Sequence, residues 1–445
     1  MISMLLQLVV MIGAIALGSR KGGVGMGLWG AVGVFVLATV FDVAPADTSG
    51  IVDVMLIILA VIMAAAAMEA AGGIEYLVGV AEKAIRRNPS RVTFIAPVVS
   101  WLFTLGAGTA HVFYPLLPVI HDVAREGGVR PERPIAVSSI AATVGITASP
   151  VSAAMAAMIV LYDKDGWGLP KIMAVAVPAT LLGVLVAALV QSRIGKPLDQ
   201  DPEYQRRLAA GEIEPVAAEG TQAEAKPLKP RARWSAYLFL AGTVAVVVSG
   251  LFPDLRPEVP GAKGSAPLSM PATIEILMMA VAALILLVCK VDAKKIPGSE
   301  VARSGLVAVI GVFGLSWLGL SFIGANEKRI TDALGGIAES QPWFFAVMLL
   351  LLSSLLFSQA TTTKALMPLG VALGIPTPLL IAMWPAVNGY FILPTYGTYI
   401  AAINFDRTGT TKVGRFVVNH SFMIPGLVTV TTAVLAGFGI AELLA

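Results

Sequence analysis

The sequence predicts an all-α polytopic membrane protein with about ten spans and two re-entrant hairpins, arranged as two inverted repeats. Three observations lead to this fold class. Of 445 residues, 57% are hydrophobic and only 13% are charged, whereas soluble domains carry roughly 25% charged residues. Apolar runs of about 20 residues, the length that crosses a bilayer core, recur along nearly the whole chain. Polar residues interrupt four of these runs, at corresponding places in the two halves.

The first half begins with three predicted spans, near residues 4–19, 23–41 and 51–71. Basic residues follow the first and third spans, and acidic residues follow the second. Under the positive-inside rule, this pattern places the N-terminus in the periplasm and residues 82–91 in the cytoplasm. The apolar stretch 92–120 lies between two basic loops, so we expect a hairpin that enters and leaves the membrane on the same side.

A broken span over residues 135–161 then crosses outward, and a closing span over 169–192 returns. Residues 194–233 are charged, contain prolines and lack a 20-residue apolar run. They predict a cytoplasmic linker, mobile in part, between membrane repeat 1 (residues 1–193) and membrane repeat 2 (residues 234–445).

The second half repeats the plan in the opposite orientation. Because the loop after its second span is basic, the flanks of its hairpin fall outside and the C-terminus is expected in the periplasm. The predicted segments are spans near 234–252, 272–290 and 304–324, a hairpin over 343–376, a broken span over 378–403 and a closing span over 416–440.

Interrupted apolar segments at corresponding positions of two halves are the best sequence indication of a transporter's binding site. An unwound turn leaves backbone groups without partners, which a membrane tolerates only beside a cavity or ligand. Half-helix N-termini and neutral side-chain donors at such turns suit a small dianion. The predicted substrate-binding residues are Gly108, Thr109, His111, Thr147, Ser149, Ser152, Ser358, Gln359, Thr361, Thr362, Thr363, Lys364, Pro394, Thr395 and Thr398.

Each of these residues also has an ordinary structural explanation, which the sequence leaves open. Serine and threonine in membrane helices commonly fill helix contacts and bond their own backbone. Lys364 could pair with a ligand carboxylate, or it could extend to the membrane interface. His111 could carry a proton or donate a hydrogen bond, or it could simply pack.

Other function classes find little support in the sequence. No Walker loop or zinc-protease motif occurs, and one cysteine and three scattered histidines predict neither a disulfide nor a metal site. No nucleophile–base pair is evident, so we expect no enzyme, no catalytic residue and no cofactor. The small net charge of +3 lies in loops, where it directs orientation rather than nucleic-acid binding.

Short motifs spread over almost the whole chain carry a family resemblance. They are Arg86 to Pro89, Gly108-Thr109, Arg130 to Pro134, Ile146 to Ala154, Ser358 to Ala360, Lys364 to Pro368, Leu393 to Tyr396, Thr408 to Thr411 and Asn419-His420. Together they resemble the anaerobic C4-dicarboxylate transporters of bacteria, the Dcu family. The first tip, Gly108-Thr109-Ala110-His111, together with the second tip, looks most like the fumarate/succinate exchanger branch; Ala110 departs from an expected glycine, which would stiffen the tip.

The resemblance implies antiport of C4-dicarboxylates (fumarate, malate, aspartate and succinate) across the bacterial inner membrane. It also implies membership of the ion-transporter superfamily, in which paired hairpins ride on a moving domain against a dimeric scaffold. A homodimer follows from that superfamily, and some family members partner a membrane sensor kinase. Sodium- or proton-coupled symport is the alternative within transport, and a channel or a membrane sensor is the alternative outside it.

Overall fold

The computed structural model describes residues 2–21, 24–213, 229–261, 264–356, 358–393, 396–413 and 419–444. Within these ranges, eight helices are long and apolar enough to cross a membrane. The prediction of a polytopic, all-α membrane protein is therefore confirmed, while the count of about ten spans stays a prediction.

The first half consists of helices, several of them paired around a break. In chain order they are α1 (Ile2–Lys21), α2 (Gly25–Phe41), α3 (Ser49–Ala70), α4 (Gly73–Arg86), α5 (Val92–Ala107), α6 (Leu117–Glu126), α7 (Glu132–Ala148), α8 (Ala153–Tyr162) and α9 (Leu169–Gln191), with 3-10 turns at Pro89–Arg91, Ala110–Leu116 and Asp163–Asp165.

The remaining elements begin with a linker helix and include one small antiparallel hairpin, in which Glu258 lies opposite Pro267. They are α10 (Pro202–Ala209), α11 (Ala232–Leu251), β1 (Glu258–Gly261), β2 (Gly264–Pro267), α12 (Met270–Cys289), α13 (Glu300–Ser340), α14 (Phe344–Leu356), α15 (Gln359–Ala372), α16 (Thr377–Met383), α17 (Gly397–Phe405) and α18 (Met423–Leu444), with 3-10 turns at Leu198–Gln200, Pro253–Leu255, Ala293–Gly298 and Trp384–Phe391.

The order of elements in residues 2–191 matches that in residues 232–444. Each half has two helices, then one long helix (α13) or a kinked pair (α3 and α4), then a two-helix hairpin, a broken helix and a closing helix. The two repeats and their opposite orientation stay predictions.

Several elements differ from the hydropathy-based expectation. Helix α4 was expected as a loop, because its charged residues hide an amphipathic pattern that buries Gly73, Ala81 and Ile85. Helix α13 continues past residue 324 to Ser340, since no proline stops it where its apolar run ends. The linker contains the short helix α10, which begins with Pro202 after the capping residue Asp201.

The two halves pack closely against each other. A Cβ atom on Gly314 of α13 would overlap the carbonyl oxygen of Gly27 on α2, and one on Gly183 of α9 would overlap that of Thr429 on α18. Small residues allow such close approach of membrane helices. Close backbone contacts therefore join the two halves at two helix pairs, α2 with α13 and α9 with α18.

Candidate functional site

The tip of the first hairpin rests on the first broken helix. Helix α5 ends at Ala107 and is followed by the capping residue Gly108, whose φ of +72° lies in the left-handed region. A Cβ atom there would lie 2.7 Å from the carbonyl oxygen of Val151 and 3.3 Å from the amide nitrogen of Ser152. Glycine lacks a Cβ atom, so it adopts this φ angle readily and permits this close approach to Val151 and Ser152. The next residue, Thr109, accepts a hydrogen bond from the His111 amide at 3.3 Å and caps the following 3-10 turn.

The break between α7 and α8 uses its own hydroxyl groups locally. Ser152 accepts a hydrogen bond from the Met155 amide at 3.0 Å and caps α8. Ser149 accepts from the Val151 amide at 3.4 Å, and Thr147 donates to the Val144 carbonyl at 2.7 Å. All three side chains are buried. These hydroxyl groups therefore bond to their own backbone, as is common for serine and threonine in membrane helices, even though the chain is unwound at this turn.

The second tip has the same construction. Ser358 caps α15 by accepting hydrogen bonds from the amide of Thr361 at 3.2 Å and from its hydroxyl at 2.9 Å. Thr362 donates to the Ser358 carbonyl at 2.8 Å. Thr361 and Thr362 are buried, and so is Lys364, with 5% of its surface exposed.

One buried amide joins the second tip to both broken helices. The Nε2 group of Gln359 donates to the Thr143 carbonyl of α7 at 3.1 Å and to Oδ1 of Asn388 at 3.0 Å. Asn388 belongs to the 3-10 turn that continues α16. Thr143 also shares a hydrogen bond with the Tyr399 hydroxyl of α17, at 3.2 Å. Gln359 thus ties the hairpin of one half to the broken helix of the other.

Another cross-link fixes Thr363, whose hydroxyl accepts a hydrogen bond from the Trp384 indole at 2.9 Å. Sequence reasoning did not select Trp384, Thr143 or Tyr399 as site residues. Each of them is an ordinary residue for a membrane helix, and only tertiary packing shows its role.

The second break meets the first hairpin through Tyr114. A Cβ atom on Gly397, at the start of α17, would lie 2.5 Å from the Tyr114 hydroxyl. Thr398 is fully buried, and its hydroxyl has no hydrogen-bond partner among the described residues. Pro394 and Thr395 lie outside the described residues.

A cavity of about 1300 Å³ separates the first hairpin from α3, α4 and the start of α13. Among the expected site residues, Thr109 and His111 line it, together with Tyr114. The residues of the second tip are not part of its lining. The structure therefore joins the two hairpins and the two broken helices through direct contacts, but it does not bring all of the predicted side chains into one open cavity.

The wall opposite the tip carries a carboxylate that already has partners. Glu69 accepts hydrogen bonds from the amides of Glu300 at 3.2 Å and Val301 at 2.9 Å. These amides begin α13, where a negative charge is favourable. Lys83 and Arg86 of α4 and the adjacent Arg87 also line the cavity, together with the carboxylates of Glu75, Glu82 and Asp122.

Comparison with known proteins identifies one family over nearly the whole chain. The family model for anaerobic C4-dicarboxylate membrane transporters matches residues 3–445. The chain is 39% identical over 439 residues to the anaerobic C4-dicarboxylate transporter DcuB of Escherichia coli O6:H1, with 97% of each chain covered. It is 40% identical over 436 residues to the C4-dicarboxylate transporter DcuA of Escherichia coli K12, with 98% of each covered. It is 38% identical over 438 residues to the DcuA protein of Wolinella succinogenes, covering 98% of this chain and 99% of that one.

Proposed function

The chain belongs to the family of anaerobic C4-dicarboxylate transporters, and on this premise we propose that it exchanges C4-dicarboxylates across the bacterial inner membrane by antiport. It is a transporter and not an enzyme. The observation that carries the proposal is the contact among the two hairpins and the two broken helices, one of each kind from each half of the molecule. The contacts are Gly108 with Val151, Tyr114 with Gly397, and Gln359 with Thr143 and Asn388.

Helix N-termini at the breaks supply the attraction for a dianion. Helices α8, α15 and α17 and the 3-10 turn at Ala110–Leu116 all begin there. Exposed amides and the positive end of the helix dipole favour a carboxylate at such a position. Two carboxylates, held by different halves, suit a substrate with an acid group at each end. Fumarate, succinate, malate and aspartate all have this form.

The capping hydroxyls can assist binding without losing their structural role. Thr109 and Ser152 use an oxygen lone pair to accept from a backbone amide. A hydroxyl group has one donor and two acceptor positions, so each retains a proton that can be donated to a carboxylate. The capping hydroxyl groups can therefore bind a substrate carboxylate alongside the backbone amides.

The cavity supports alternating access by an elevator-type movement. It lies between the first hairpin and the helices α3, α4 and α13, and its lining includes the basic residues Lys83, Arg86 and Arg87 as well as the carboxylates of Glu69, Glu75, Glu82, Asp122 and Glu300. In the proposed orientation the three basic residues face the cytoplasm and both termini face the periplasm, and we therefore propose that the conformation is inward-facing. We propose ten spans and two re-entrant hairpins, with the hairpins and broken helices forming the moving part.

Exchange follows if the empty moving part crosses slowly. Without substrate, the helix N-termini at the breaks carry uncompensated positive partial charge through the membrane. A bound dianion cancels this charge and removes part of the desolvation cost. The loaded protein then crosses faster than the empty one, which is the condition for antiport.

Sodium- or proton-coupled symport is the second candidate, and one feature favours it. Helices α5 and α7 also end at the breaks, and helix C-termini present unpaired carbonyl groups that favour a cation. The Val151 carbonyl lies beside Gly108 at this place.

The test is uptake of labelled fumarate into vesicles that contain the purified protein. Vesicles loaded with succinate should take up label at least tenfold faster than empty vesicles. Rapid uptake into empty vesicles, driven by an imposed sodium or proton gradient, would replace exchange with symport. Currents far above carrier rates in a planar bilayer would indicate a channel, and binding without uptake would indicate a sensor.

A further inference from the structure

A buried charged cluster lies far from the chain breaks, where α7 begins and the linker helix α10 docks. Its centre is Arg130, which is 5% exposed. The Nε group of Arg130 donates to Oε2 of Glu132 at 2.6 Å, and its Nη1 group pairs with Oδ2 of Asp201. Asp201 also caps α10 by accepting from the Glu203 and Tyr204 amides, each at 3.0 Å. Arg130 therefore connects the first half of the molecule to the linker.

The same cluster extends into the second half through Glu132. The Glu132 amide donates to the Thr410 hydroxyl at 3.1 Å, and the Ser421 hydroxyl donates to Oε1 of Glu132 at 2.6 Å. Thr410 and Ser421 belong to the segment between α17 and α18. Glu132 is the first residue of α7, so these bonds attach the start of α7 to the end of α17.

The segment after α17 is shaped to receive these bonds. The Asp406 carboxylate accepts from the Thr408 amide at 2.9 Å, the Thr410 hydroxyl at 2.8 Å and the Thr411 amide at 2.7 Å. Arg207 of α10 donates to the Arg407 carbonyl at 2.9 Å. The linker helix thus contacts this segment directly as well as through Arg130.

Two glycines make room for the arginines. A Cβ atom on Gly195 would lie 2.8 Å from Nε of Arg130, and one on Gly409 would lie 2.6 Å from Cζ of Arg207. Both glycines have left-handed φ angles, +73° and +72° respectively. Arg130 therefore lies in a close-fitting buried site, whereas Arg207 packs on Gly409 but stays partly exposed.

We propose that Arg130 is a positioning residue for transport, which clamps α10 and the end of α17 to the start of α7. We call Arg130, Glu132, Asp201 and Asp406 the linker clamp. Helices α7 and α17 each connect the clamp to a chain break. At a rise of 1.5 Å per residue, α7 is about 25 Å long and α17 is about 13 Å long. The clamp sets the axial position of one break relative to the other, and so the spacing of the two carboxylate sites. The inference rests on the proposed function.

The first experiment replaces Asp201 by asparagine and measures the exchange kinetics of the full-length protein in vesicles. Asp201→Asn removes one charge from the clamp and keeps an oxygen that can cap α10. The Michaelis constant KM for fumarate should rise three- to tenfold, with the maximal rate within twofold of wild type. Asp199→Asn is the matched control, because Asp199 is exposed, two residues away, and should leave both constants unchanged.

A second pair of variants separates positioning from folding. Arg130→Lys keeps the charge, but one ammonium cannot take the places of Nε and Nη1 together, so KM should rise here too. If Asp201 acts through Arg130, then Asp201→Asn should add less than twofold to the KM of Arg130→Lys.

Three outcomes would overturn the positioning role of the linker clamp. The first is an unchanged KM for fumarate in both Asp201→Asn and Arg130→Lys. The second is a fall in the maximal rate alone that matches the loss of folded protein, and the third is a double variant whose KM shows the full effect of both substitutions. If Asp201→Asn does not fold, Arg130→Lys alone decides between the first two. Absence of exchange in wild type and Asp199→Asn would instead refute the proposed function.

Discussion

The hydroxyl groups at the breaks differ in whether they can still donate a hydrogen bond to a ligand. Thr109, Ser152 and Ser358 accept hydrogen bonds as helix caps and keep a proton to donate. The hydroxyl groups of Thr147 and Thr362 already donate hydrogen bonds to backbone carbonyls. A capping hydroxyl at a break can therefore stabilise its helix and donate a hydrogen bond to a ligand at the same time. A hydroxyl that donates to a carbonyl of its own helix stabilises that helix only.

Thr109 and Thr147 provide the sharpest comparison. Replacing Thr109 by valine removes a hydroxyl that lines the cavity, and a hydrogen bond to a charged group is worth about 1.5–3 kcal/mol. We expect KM for fumarate to rise at least tenfold. Thr147→Val and the exposed control Thr39→Val should change KM less than threefold, as measured by uptake of labelled fumarate into succinate-loaded vesicles. Equal effects of Thr109→Val and Thr147→Val would contradict the assignment.

Gln359 has the role of holding the breaks together. Gln359→Leu would leave the Thr143 carbonyl and Asn388 Oδ1 without this donor, at a cost of about 1–3 kcal/mol for each buried group. We expect folded protein with exchange reduced at least tenfold, measured in the same vesicles.

Gln205→Leu is the control for Gln359→Leu, because Gln205 also donates to a backbone carbonyl, at 2.8 Å, but on an exposed helix. It should exchange like wild type. Normal exchange by Gln359→Leu would show that the second tip does not depend on this amide.

At the level of elements, hydropathy was sufficient to predict the long membrane helices, and polar interruptions were sufficient to predict the breaks. Both signals are local in the chain. The contact of Tyr114 with Gly397 and that of Gln359 with Thr143 are not local, since each joins segments more than 200 residues apart. Nothing in either segment alone encodes its partner, so the relation between the breaks had to come from the structure.

The packing of α2 on α13 gives a prediction for an element. Gly314→Ala places a Cβ atom against the Gly27 carbonyl, so the helices must separate, and such overpacking costs about 1–3 kcal/mol. Gly311→Ala on the same helix meets nothing within 4 Å and gains helix propensity. Thermal unfolding in detergent should show a lower midpoint for Gly314→Ala and an unchanged or higher midpoint for Gly311→Ala. The opposite order would contradict the packing.

For the whole molecule, an elevator-type exchange requires the first hairpin to move relative to α3, α4 and α13. The cavity between them provides the space. An exposed ion pair spans the same boundary, with Nη1 of Arg86 on α4 3.1 Å from Oε1 of Glu126 on α6. Exposed pairs contribute little stability, so this contact can break at each cycle.

A cross-link across that boundary tests the movement. In a Cys289→Ser background, which removes the single native cysteine, Arg86→Cys and Glu126→Cys joined by a short bifunctional maleimide should lose at least 90% of exchange. Glu82→Cys with Arg86→Cys is the control, because these residues form a pair within α4. Cross-linking there should leave exchange unchanged. Full exchange by the Arg86–Glu126 cross-linked protein would exclude this movement.

Antiport predicts that the efflux of labelled substrate depends on substrate outside the vesicle. Vesicles loaded with labelled succinate are diluted into buffer without substrate or into buffer with unlabelled fumarate. We expect external fumarate to accelerate the loss of label at least tenfold, because only the loaded protein crosses rapidly. Equally rapid efflux into substrate-free buffer would contradict antiport.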